Sequence, residues 1–145
     1  MMNPINILLV EDSAEDAELV TEAFEVNRFT ADFQYARDGE EAMALLRREG
    51  VHADAPRPDL VLLDLNMPRK DGREVLAEIK ADPELKSLPV VILTSSAAES
   101  DVAQSYLNQA SAFLTKPVDF NEFLDMIRQL GEFWLTAVRL PGRGR

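Results

Sequence analysis

Five short strand-like runs, separated by amphipathic helical patterns, constrain this chain more than any other feature. Ile5-Asn6-Ile7-Leu8-Leu9-Val10 is nearly continuous in its apolar character, the signature of a strand covered on both faces. Asp59-Leu60-Val61-Leu62-Leu63 and Pro89-Val90-Val91-Ile92-Leu93 repeat it. Asp32 to Ala36 is a weaker version, and Ala112-Phe113-Leu114 is a short one. Strands that alternate with helices in this way predict an α/β domain, a doubly wound five-stranded parallel sheet with helices on both faces.

The helices are legible from their spacing and their ends. Ser13, with Asp16 three residues on, resembles a capping box, and Ala17, Val20 and Phe24 follow on one face. Gly39 to Glu49 reads as a helix burying Ala42, Leu45 and Leu46, with Gly50 stopping it. Residues 50–58 read as a loop. Gly72 to Ala81 is helical with Val75, Leu76 and Ile79 inward, and Pro83 and Pro89 break the chain before the next strand. A helix is expected over about 97–110 and a last one from Asp119 past Trp134, with Phe120, Phe123, Leu124, Ile127, Leu130 and Trp134 in one stripe.

Composition narrows the function. A net charge of −11 argues against nucleic acid as a partner and for attraction of cations. The chain has no cysteine and one histidine, His52, so a zinc site of the His/Cys kind cannot be assembled. No run approaches the roughly 20 apolar residues that span a bilayer, and no basic leader precedes an apolar segment. A cytoplasmic protein without membrane partners is the expectation.

The ends of the strands carry the chemistry. Strand one stops at Glu11-Asp12, strand three at Asp64, strand four at Thr94 and strand five at Lys116. Ligands of open parallel sheets bind outside the carboxyl ends of the strands, where the winding order reverses. If the order is 2-1-3-4-5, Asp12 and Asp64 face each other there. Clustered carboxylates repel unless a cation separates them. Oxygen donors of this kind suit Mg²⁺, which bridges carboxylates to phosphate. A hydroxyl and an ammonium alongside can bind phosphoryl oxygens, and a carboxylate can accept the phosphoryl group. Taken singly, Asp12 reads as a helix cap, Thr94 as an ordinary strand residue and Lys116 as a solvated lysine. Their joint placement is what points to a site.

The segments Ile7-Leu8-Leu9-Val10-Glu11-Asp12, Leu62-Leu63-Asp64-Leu65-Asn66-Met67-Pro68-Arg69-Lys70-Asp71-Gly72, Ile92-Leu93-Thr94-Ser95 and Leu114-Thr115-Lys116-Pro117 resemble the receiver domains of two-component response regulators. The likeness covers roughly residues 4–130. It implies a flavodoxin-like fold and phosphorylation of Asp64. By the same resemblance Asp12 would bind Mg²⁺ directly, Glu11 through water, and Asn66 through its backbone carbonyl. Thr94 would bond the phosphoryl group and Lys116 would pair with it. The Lys116–Pro117 bond would be cis. Phe113, three residues before the lysine, matches the switch aromatic, and Asn66 and Ser96 match positions that tune hydrolysis. Two positions depart from the common pattern. The first acidic pair is Glu-Asp rather than Asp-Asp, and the switch residue is Phe rather than Tyr.

A receiver domain over 1–140 with a disordered Gly/Arg-rich tail at 141–145 is expected, and no output domain is seen. The resemblance implies a signalling switch rather than an enzyme, with a sensor histidine kinase as partner. The loop at 50–58, the Glu-Asp pair and the aromatic last helix are similar to single-domain regulators of phytochrome-type kinases, so a bacteriophytochrome is the kinase expected. Met126 and Phe133 fall outside the core stripe of the last helix, which predicts a homodimer through Met126, Phe133 and Trp134. The competing reading is a Mg²⁺-dependent aspartyl-phosphate phosphatase. It is weakened by Asn66, which stands where such an enzyme usually carries a second Asp as acid. A flavin module on the same fold is disfavoured by the acidic loop after strand one.

Overall fold

Residues 5–65, 72–94, 112–115 and 119–132 are described by the computed structural model of the chain. Their elements run β1 (Ile5–Val10), α1 (Ala14–Val26), β2 (Ala31–Ala36), α2 (Gly39–Arg47), a 3₁₀ turn (Gly50–His52), β3 (Leu60–Asp64), α3 (Gly72–Ala81), β4 (Val90–Thr94), β5 (Ala112–Thr115) and α4 (Phe120–Gly131). The helix expected over 97–110 lies outside the described residues, as does the tail at 141–145.

All four strand pairings are parallel, and the order is β2-β1-β3-β4-β5. This is the doubly wound order expected, and its reversal point falls between β1 and β3.

The apolar runs lack polar alternation because the sheet has two covered faces. Leu8, Val10, Val61, Leu63, Val90 and Ile92 point to one side, where Ala42, Met43 and Leu46 of α2 and Val75, Leu76 and Ile79 of α3 meet them. Ile5, Ile7, Leu9, Leu60, Leu62, Val91 and Leu93 point to the other, against Val20, Ala23 and Phe24 of α1 and Phe123, Ile127 and Leu130 of α4. Period-two geometry therefore sorts each strand into two half-cores. Burying one such side chain stabilises the fold by about 1.5–3 kcal/mol. β2 is an edge strand, and its mixed exposure explains its weaker pattern.

Helix starts follow the expected capping chemistry. The Ser13 hydroxyl accepts from the Asp16 amide at 3.2 Å, the Asp38 carboxylate from Glu41 at 2.8 Å, and Asp119 from Asn121 at 3.0 Å. Helix ends differ more. α2 stops at Arg47 rather than Glu49, because Arg48 takes the left-handed conformation (φ 55°) and ends the helix before Gly50, the stop expected, is reached. Gly50 is left-handed as well (φ 57°), but it opens the 3₁₀ turn that occupies the start of the expected loop.

α1 and α4 are tied together below the sheet. The Asn27 side-chain amide donates to the carbonyls of Ala23 (2.9 Å) and Leu124 (3.0 Å). Phe24 meets Phe29 and Phe33 edge-on, at 6.0 and 5.3 Å between centroids.

Candidate functional site

The site is built by the sheet's register. β1 pairs with β3 through Val10↔Leu63, so one further residue on each strand brings Glu11 alongside Asp64. The Glu11 amide still bonds to the Ala36 carbonyl at 3.0 Å, which extends the β1–β2 ladder and fixes where the chain leaves the sheet. Asp64 is the last residue of β3 and is paired with Leu93 of β4. Asp12 follows as the chain turns into α1.

One carboxylate oxygen from each of Glu11, Asp12 and Asp64 lies within 4.8 Å of the others. Glu11 and Asp64 are buried, 5% and 8% exposed, whereas Asp12 opens to solvent. Glu11 also accepts the Ser13 amide at 3.2 Å, and Ser13 caps α1. The longer Glu side chain is thus held by the start of the helix behind it. Two like charges about 4 Å apart near a protein surface repel by about 4 kcal/mol. Three carboxylates gathered this closely form a set of hard oxygen donors that a divalent cation would relieve.

The remaining expected site residues are placed unevenly. Thr94 ends β4 and Phe113 lies within β5, on the strands predicted, and their backbones are one and two strands from Asp64. Asn66, Ser96, Lys116 and Pro117 lie outside the described residues, and with them the expected carbonyl ligand, hydrolysis-tuning serine, phosphoryl-pairing ammonium and cis bond. Phe133 and Trp134 also lie outside. Met126 departs from expectation in part. It stands three residues from Phe123 and four from Leu130, and so packs partly on the same half-core. In the sequence Gly72 ends a motif and opens a helix, and the structure also brings it against the backbone of Asp64 and Leu65.

Residues 7–128 match the response regulator receiver domain family. The chain belongs to that family. Receiver domains are the signalling switches of two-component systems. Response regulator Rcp1 of Synechocystis sp. is 47% identical over 95% of this chain and 94% of its own length. The crystal structure of the phosphorylated cyanobacterial phytochrome response regulator RcpA superposes with a TM-score of 0.88 at 46% identity, covering 97% of this receiver and all of that chain. The Mn²⁺-bound form of Rcp1 does so with a TM-score of 0.86 at 47% identity, covering 96% of this receiver and all of that chain. The doubly wound fold read from the alternating strands and helices is therefore the fold of its relatives. Among the described residues no helix is long and apolar enough to cross a membrane.

Proposed function

We propose that Asp64 is the phosphoacceptor of this receiver and that a sensor histidine kinase of the phytochrome type is its donor. The reading is carried by one observation, the gathering of Glu11, Asp12 and Asp64 within 4.8 Å at the carboxyl edge of the sheet. Mg²⁺ is the ion proposed. Asp12 and Asp64 would hold it directly, with the Asn66 carbonyl, and Glu11 would act through water. When bound, the ion neutralises charge that otherwise resists the approach of a phosphoryl group.

The chain's own groups do the rest. An Asp64 carboxylate oxygen attacks phosphorus, the bond from phosphorus to the donor's imidazole nitrogen breaks, and an aspartyl phosphate forms. The Thr94 hydroxyl and the Lys116 ammonium would bind phosphoryl oxygens. Drawing Thr94 inward would favour the conformation with Phe113 turned inward, a population shift that alters the surface of the 97–110 segment, β5 and α4. Signalling is then a change of partner, not turnover of a substrate. The phosphatase alternative gains no support, because the position two residues after Asp64 is Asn66.

Support for the partner comes from RcpA, a phytochrome response regulator, and support for a divalent ion from Mn²⁺-bound Rcp1. A homodimer is proposed through Phe133 and Trp134 with the flank of Met126. The outer face of α4 itself is polar, with Asn121, Glu122, Asp125, Arg128 and Gln129 exposed. Sizing in solution checks the dimer, and a monomer at high concentration in both phosphorylation states rejects it. A cytoplasmic location, with neither nucleic acid nor membrane as partner, accompanies this reading.

Thermal melting against Mg²⁺ tests the site. Binding to the folded state alone stabilises by about 2.7 kcal/mol at a hundred times Kd. The wild type should rise in Tm with Mg²⁺, and Asp12→Asn should lose most of that rise while melting higher than wild type in chelator. A wild-type Tm indifferent to Mg²⁺ would reject the cation site.

A further inference from the structure

We propose that Gly72 is a positioning residue for Asp64, because its missing side chain lets α3 seat directly against the backbone that carries the acceptor carboxylate. The inference rests on the reading of Asp64 as phosphoacceptor.

Gly72 is buried at the first turn of α3, and its amide donates to the Leu65 carbonyl at 3.0 Å. A Cβ at this position would overlap the Asp64 carbonyl oxygen, stand 2.7 Å from the Leu65 Cα and lie 3.1 Å from the Asp64 carbonyl carbon. All three are backbone atoms, so no rotamer change can make room. The requirement is for space, since the left-handed glycine of the described chain is Gly50.

The strand end cannot yield independently. Asp64 is locked to Leu93 in the β3–β4 ladder, and the Leu65 side chain is fully buried in the half-core beneath α2 and α3. A side chain at residue 72 must therefore shift either α3 or the Asp64–Leu65 backbone. Glu11 and Asp12 follow directly on β1 and would not move with it. The shift would then open or twist the carboxylate triangle and spoil the approach of Asp64 to phosphorus. A displacement near 1 Å in a reacting group lowers rates by as much as about a hundredfold.

Gly131 provides a matched control. A Cβ there would overlap the Phe29 ring, between α4 and the α1–β2 connection, with no contact to the acidic triangle. The test compares wild type, Gly72→Ala, Gly131→Ala and Asp64→Asn below the melting temperature of each. Two quantities are read: the initial rate of phosphorylation from a small acyl phosphate, and the Mg²⁺ concentration at the midpoint of the Tm rise. Expected for Gly72→Ala is a rate about tenfold or more below wild type and a higher Mg²⁺ midpoint. Gly131→Ala should melt earlier but keep both quantities near wild type.

A folded Gly72→Ala protein with wild-type rate and midpoint, beside an inert Asp64→Asn, would overturn the positioning role and leave the acceptor assignment standing. An Asp64→Asn protein modified as readily as wild type would overturn both. Should Gly72→Ala not fold, amide resonances of the wild type decide. Those of Gly72 and Leu65 should move together on Mg²⁺ titration while that of Gly131 stays fixed. A stationary Gly72 resonance overturns the proposal.

Discussion

At the scale of single residues, the acidic site is held by groups whose first duties are structural. Glu11 ends a ladder to Ala36 and accepts the Ser13 amide, while Ser13 caps α1 through its hydroxyl. Cap and site therefore share one turn. Ser13→Ala removes the hydroxyl but not the amide that faces Glu11. It should cost about 1 kcal/mol of stability, read by denaturant unfolding, and leave the Mg²⁺ midpoint unchanged. A large change in that midpoint would mean that the cap, and not the amide, orients Glu11. Buried Asp59 shows that an acid near the sheet can serve the backbone. Its carboxylate accepts the Asn6 amide at 2.9 Å where β1 enters the sheet, at the end opposite the site.

At the scale of elements, the strands were legible because burial on both faces leaves a continuous apolar run, and α3 because its stripe and its boundaries coincide with Gly72 and Ala81. α2 was legible in kind but not in detail. Its buried stripe is Gly39, Ala42, Met43 and Leu46, and Leu45, expected inside, is only partly buried on the flank of that stripe. Its end was misplaced because glycine is the usual left-handed residue and an arginine took that position. Arg48→Gly should relieve the left-handed strain and raise stability by about 0.5–1 kcal/mol, measured as a higher denaturant midpoint. A lower midpoint would show that packing of the arginine stem outweighs the strain. The acidic triangle was legible because strand ends meet at a known place in a parallel sheet. The seat of Gly72 was not, because the close approach of two backbones leaves no mark on the sequence beyond the glycine itself.

At the scale of the whole molecule, the winding order converts distant sequence into one site. More than fifty residues of chain separate Asp64 from Glu11 and Asp12, yet one carboxylate oxygen of each lies within 4.8 Å of the others, because β1 and β3 are neighbours and β2 is wound to the outside. The two half-cores hold the sheet from both faces, so the triangle is carried on the most buried part of the fold. The direct measurement is incubation with Mg²⁺ and a small acyl phosphate, followed by intact mass and peptide mapping. One phosphoryl group on the peptide bearing Asp64, absent when Mg²⁺ is chelated and absent in Asp64→Asn, is the result expected. Equal modification without Mg²⁺, or on another residue of Asp64→Asn, would contradict the account.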